Sequence, residues 1–96
     1  MHVLAEITPK PEHMDDALEA VRSIIARTRA EAGCNRFEVY TDEAREMIVL
    51  VEHWADREAF DFHHAQSYVT DIFAKYDGWL ESPPRIVNLV TAELSS

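Results

Sequence analysis

The sequence predicts one α+β domain with the element order β-α-β-β-α-β. Three observations predict it: apolar alternation of period two in four stretches, three-and-four spacing in two others, and no linker separating them. The 96 residues suit a single domain spanning 1–96, and 47% hydrophobic content is enough for a core. A domain this small buries a modest share of its surface, so association with a second copy would add stability.

His2 to Thr8 alternates, with Val3, Ala5 and Ile7 on one side and His2, Leu4 and Glu6 on the other, as in a strand. Pro9 and Pro11 end it, and Pro11 suits the first turn of a helix, where no N–H is needed. From Glu12, the positions Met14, Ala17, Leu18, Val21, Ile24, Ile25 and Thr28 form one face of a long helix. Acidic Glu12, Asp15 and Asp16 near its start, and Arg27 and Arg29 near its end, complement the helix dipole. Gly33 is read as the stop, in a left-handed conformation.

Asn35 to Thr41 alternates again, with Phe37 and Val39 opposed to Arg36, Glu38 and Tyr40. Asp42 to Arg45 makes a hairpin connection, and Met47 to Trp54 is the strongest strand signal, rich in β-branched and aromatic residues. Asp56 is the N-cap of the next helix, which carries Phe62, Ala65, Val69, Ile72, Phe73 and Tyr76 at helical spacing. Gln66-Ser67 marks a break within it and Gly78 its end. Pro83-Pro84 then interrupts the chain before a last strand, Arg85 to Leu94.

This order is the ferredoxin-like split βαβ arrangement: a four-stranded antiparallel sheet with helices on one face. Two helices cover only one face of such a sheet. The third strand is nevertheless apolar on both, with Ile48 and Leu50 opposed to Met47, Val49 and Val51. In the last strand Ile86 and Val90 oppose Val87 and Leu89. A large apolar face rarely stays uncovered on a monomer, so the pattern predicts a homodimer packed sheet against sheet.

The net charge of −9, from 18 acidic and 9 basic residues, opposes a phosphate-binding surface and hence nucleic acid. No apolar run approaches the ~20 residues that cross a bilayer, so no membrane association is expected. The start MHVLAEITPKPE lacks the basic and long apolar regions of a signal peptide. Cys34, the single cysteine, makes no intrachain disulfide. Together these predict a cytoplasmic protein.

The unusual polar residues lie between Glu52 and His64. Glu52 shares a strand face with Ile48, Leu50 and Trp54, where a carboxylate is costly unless hydrogen-bonded. It is either a structural acceptor near Trp54 or a pocket acid or base. Trp54 is read as core before cofactor platform. His63 and His64 are consecutive on a helix, about 100° apart, so at most one should face a pocket squarely. His63 is the candidate for proton transfer and His64 is read as a bystander. His53 lies on the opposite strand face, toward the expected dimer contact. No metal is expected: there is no H-x-x-x-H, no H-E-x-x-H and no paired cysteine. There is also no glycine-rich phosphate loop.

The chain resembles the antibiotic biosynthesis monooxygenase family, small dimeric α/β-barrel proteins that include quinol monooxygenases. The resemblance rests on the opening strand followed by Lys10-Pro11-Glu12, on Thr28-Arg29-Ala30-Glu31-Ala32-Gly33-Cys34 leading into Phe37-Glu38-Val39-Tyr40, and on Val51-Glu52-His53-Trp54 followed by Glu58-Ala59-Phe60 and His63. It spans nearly the whole domain.

The resemblance implies a pocket between sheet and helices, a dimer of face-to-face sheets, and oxygenation without metal, flavin or haem. In such chemistry a small aromatic quinol or polyphenol is deprotonated and reacts directly with dioxygen. His63 then stands where members commonly carry histidine, as general base. Many members carry a second histidine in a segment resembling Ser-Pro-His-Phe; here Gln66-Ser67-Tyr68-Val69 puts Tyr68 in its place, as an oxyanion donor and not a base. Glu52 would orient or tune His63, while Trp54, Phe60 and Phe73 shape an apolar substrate pocket.

The haem-degrading branch places tryptophan at His63 and an iron-binding histidine near Phe73, and both are absent here. Two alternatives share the fold. One is a non-enzymatic dimer binding a quinone-like ligand. The other is an isomerase of a small carbonyl compound, for which a phosphorylated substrate would want Arg36 or Arg85 in the pocket.

Overall fold

Alternation along the strands decides which side chains meet the helices. In a computed structural model that describes residues 1–93, β1 (His2–Ile7), β2 (Cys34–Thr41), β3 (Ile48–Trp54) and β4 (Arg85–Leu89) form one antiparallel sheet. Its order is β2-β3-β1-β4. Val3, Ala5 and Ile7 of β1 and Ile48, Leu50, Glu52 and Trp54 of β3 are buried on the same side. Register completes that face, with Phe37 opposite Glu52 and Val39 opposite Leu50.

The hairpin between β2 and β3 is held by Asp42, whose Oδ1 accepts from the backbone N–H of Glu46 (2.8 Å) and Met47 (3.0 Å). Arg45 takes the left-handed conformation the turn needs, with φ of 56°.

The first helical segment is not continuous. A 3₁₀ turn (Pro11–His13) leads into α1 (Met14–Arg22), and α2 (Ile25–Arg29) follows a break. At the break Ser23 turns its hydroxyl back onto the Ala20 carbonyl at 2.6 Å, and Ile24 N–H bonds Val21 O, three residues earlier. Such local bonds compete with the regular helix ladder. The expected stripe survives the break, since Met14, Ala17, Leu18, Val21, Ile24 and Thr28 are all buried.

Two glycines act differently from the sequence expectation. Gly33 has no left-handed φ. Its role is close approach: a Cβ there would lie 2.3 Å from Cβ of Ala59. Overpacking of this kind costs about 1–3 kcal/mol. Gly78 lies inside α4 and nothing crowds it. That helix ends instead because Leu80 turns extended and bridges Pro9, while Glu81 N–H bonds Thr8 O at 2.9 Å.

The second helical segment follows the sequence closely. α3 (Arg57–Ala65) is capped by Asp56, and Gln66, in an extended conformation, separates it from α4 (Ser67–Trp79). β4 is shorter than expected, ending at Leu89; Leu94 lies outside the described residues. Leu89 pairs with His2, the first residue of β1, so the ladder has no partner beyond it. Val90 accordingly stands in solvent.

The sheet face away from the helices carries Leu4, Val49, Val51 and Val87, all half-buried, with Leu89 exposed beside them. His2 and His53 stack there with centroids 4.1 Å apart. Among the described residues no helix is long and apolar enough to cross a membrane.

Candidate active site

Trp54 ends β3 and is fully buried. Its backbone is fixed by paired bonds with Met1, each 2.8 Å. Two residues earlier on the same face, Glu52 accepts from Trp54 Nε1 at 2.8 Å through Oε1. Burial pushes the Glu52 carboxyl above the usual carboxylate range, and the indole bond opposes this only in part.

Asp56 starts α3 by accepting from Ala59 N–H at 2.8 Å. The helical period then turns His63 inward, where it is 3% exposed. Its ring lies against Trp54, with centroids 4.6 Å apart, and tilts toward Phe37 at 6.0 Å. Nδ1 of His63 sits 2.7 Å from Oε2 of Glu31.

Glu31 belongs to the turn between α2 and β2. Its N–H bonds Thr28 O, and its carbonyl accepts from Cys34 N–H. The side chain is 10% exposed, and Oε2 also accepts from the Tyr68 hydroxyl at the start of α4. The Arg27 guanidinium lies over the Tyr68 ring, 4.2 Å from its centroid. Burial, and then the bond to Glu31, push the Tyr68 hydroxyl above its ordinary value, so it remains a donor.

Between sheet and helices lies a cavity of about 40 Å³. Glu52 and Leu50 wall it from β3; His63, His64 and Phe73 wall it from the helices, and Ile86 from β4. That volume holds water or dioxygen, whereas a benzene-sized guest needs about 150 Å³. A second pocket of about 350 Å³, toward Glu81 and Pro83, shares Phe73, Tyr76 and Pro84 with the first. Phe73 is 42% exposed and stands between the two. On the other side of Glu31 an open groove of about 740 Å³ is lined by Arg27, Phe62, Gln66 and Tyr68.

Of the residues singled out from sequence, His63, Glu52 and Phe73 meet at the inner cavity. Trp54 packs behind His63, and Phe60 lies to one side against His64 at 4.3 Å. Tyr68 does not line the inner cavity; its hydroxyl donates to Glu31, and its ring lines the outer groove. Glu52 does not bond His63. Its carboxylate meets the indole, and the carboxylate on the imidazole is that of Glu31.

His64 is not a bystander by position. It is half-buried on the cavity wall, and burial followed by the neighbouring His63 lowers its pKa. Glu31 was missed, although it continues the buried stripe three residues beyond Thr28. Among the described residues no three His, Cys, Asp or Glu side chains are grouped to hold a metal.

The sequence pattern of the antibiotic biosynthesis monooxygenase family matches residues 1–75. The chain belongs to this family. Within the wider set of similar proteins, "Putative monooxygenase YcnE" of Bacillus subtilis is 29% identical over 92 residues, covering 95% of this chain and 94% of that protein. The Mycobacterium tuberculosis protein Rv0793 is 26% identical over 94 residues, covering 98% and 93%. Its solved structure superposes with a TM-score of 0.90 at 25% identity, over 99% of this chain and 97% of that one. A crystal structure described as an antibiotic biosynthesis monooxygenase superposes at 0.88 with 26% identity, over 95% and 97%. This member of the family thus shares the fold over most of its length.

The buried Glu52 carboxyl gives a pH signature. Because its folded-state pKa is raised above the ordinary 4.5, the fold binds this proton more tightly than the unfolded chain does. The resulting stabilisation is complete below that value and is lost as pH rises through the folded-state pKa. Glu52→Gln keeps an acceptor for Trp54 Nε1 and removes the ionisation. Its stability relative to wild type should rise from pH 4 toward neutrality in urea melts; a difference that stays flat with pH contradicts this assignment.

Proposed function

We propose that this protein is a monooxygenase that oxidises a small aromatic quinol or polyphenol with dioxygen, using no resident metal or organic cofactor. One observation carries the reading: His63, among the described residues the one imidazole bonded to a buried carboxylate, lines an apolar cavity between sheet and helices together with Glu52. Family membership supplies the oxygenation class.

In this reading His63 takes the phenolic proton, and the phenolate so formed is the reductant of dioxygen. For a hydroquinone, one oxygen atom enters the ring as a hydroxyl and the other leaves as water. Four electrons come from the substrate, which ends as a hydroxyquinone. Glu52, whose carboxyl burial pushes above the usual carboxylate range, lines the same cavity and in its protonated form donates to the developing oxyanion. Trp54 and Phe60 keep the imidazoles packed. An aromatic ring reaches His63 by displacing Phe73, which joins the inner cavity to the outer pocket. Closure behind it excludes water, strengthening each electrostatic contact.

Oxygen uptake with a panel of quinols tests this. His63→Asn keeps an N–H donor near the Nδ1 position, so Glu31 stays paired, but it removes the base. The rate should fall ~10²–10⁴-fold, as for loss of a general base. Saturable quinone binding with no oxygen consumption by the wild type would leave the chain a ligand-binding protein instead.

The same reading includes a homodimer, with a second copy covering Leu4, Val49, Val51 and Val87 on the open sheet face. Light scattering during size-exclusion chromatography should give twice the chain mass at micromolar concentration. A stable monomer there sinks the dimer.

A further inference from the structure

We infer that Glu31 is the positioning residue for His63: its carboxylate holds the Nδ1 proton, leaving Nε2 as the basic nitrogen, and Tyr68 in turn clamps the carboxylate. The inference deepens the proposed function, resting on His63 as its base, yet it is read out separately from the oxidation.

The argument begins with hydrogen-bond capacity. Oε2 of Glu31 accepts from the Tyr68 hydroxyl and lies 2.7 Å from His63 Nδ1. A tyrosine whose hydroxyl is held in its protonated form donates. Oε2 receives that donor, and a carboxylate oxygen facing a ring nitrogen only accepts. Nδ1 therefore carries the hydrogen. In a neutral imidazole the other nitrogen then has the lone pair.

Burial makes the arrangement selective. The two side chains are 4% and 10% exposed, so the reversed tautomer would set two lone pairs against each other with little water to intervene. Oε1 of Glu31 is buried with no hydrogen-bond partner among the described residues. The fold thus tolerates an incompletely satisfied carboxylate at this point, in favour of the bond to His63.

The groups facing His63 come from every element around it. They are Glu31 before β2, Glu52 on β3, His64 on α3 and Tyr68 on α4, with Arg27 behind Tyr68. Among the described residues only Glu31 bonds the ring. Carboxylates that orient a working histidine typically contribute 10–100-fold when the histidine ligates a metal, and an effect of about that size is expected on a histidine base.

Long-range proton–nitrogen spectra of the His63 ring, at a pH where it is neutral, test the inference in the intact chain. The wild type should show one tautomer, with hydrogen on Nδ1. Glu31→Ala should give a mixture, and Tyr68→Phe a smaller shift toward one. Glu31→Gln, which keeps the shape if the alanine variant folds poorly, should also mix, because its amide can donate to Nδ1 as well as accept.

In parallel, Glu31→Gln should lower kcat about 10–100-fold while leaving KM little changed. A wild-type ring with hydrogen on Nε2, or one tautomer common to wild type and both Glu31 variants, overturns the inference. Should no quinol be oxidised while the tautomer still depends on Glu31, the positioning role stands and the oxidation reading falls.

Discussion

The bond between Glu31 and His63 organises the site. A carboxylate that is nine-tenths buried is unfavourable unless donors converge on it. Here the donors come from α3 and α4, while the carboxylate comes from the turn before β2. The pairing therefore ties the first half of the chain to the second, next to the cavity. Gly33, two residues on, lets that turn approach α3 closely enough for the bond to form. Leaving one member of a buried hydrogen bond unpaired costs about 1–3 kcal/mol, and more for a charged group, which makes the contact structural as well as chemical.

Two buried carboxyl groups flank one imidazole, and their surroundings give them different tasks. Glu31 meets the His63 ring nitrogen and the Tyr68 hydroxyl, both on one oxygen. Glu52 has a single indole N–H and apolar neighbours, so burial dominates and pushes its carboxyl above the usual carboxylate range. Different surroundings allow one carboxyl group to hold a base in place while the other meets developing charge. The apolar walls around Glu52, and a volume too small for an aromatic ring until Phe73 moves, keep water from that side of the imidazole.

Much of this was legible in the residues. Alternation from Ile48 to Trp54 predicts which side of β3 is buried, Asp56 announces a helix start, and Gln66-Ser67 marks a break where the structure has one. These are local signals, each contained in a few consecutive residues. The misplaced features depend on contacts distant in sequence. β4 stops at Leu89 because β1 begins at His2, and Gly33 is a glycine because Ala59 packs on it. Both His63 and His64 line a cavity that lies at the end of α3 and along α4, which helical period alone does not show. Glu31 sits between elements, where neither period applies. Only the approach of α3 and α4 reveals its partners, and Tyr68 was assigned by family position to a cavity that it does not reach.

A crystal soaked anaerobically with a small hydroquinone tests the central claim most directly, because the structure offers an aromatic ring two separate places. The account predicts the ring in the inner cavity, with a hydroxyl against Nε2 of His63 and Phe73 swung outward. A ring lodged instead in the outer groove beside Phe62 and Tyr68, with the inner cavity unchanged and Phe73 unmoved, would contradict it.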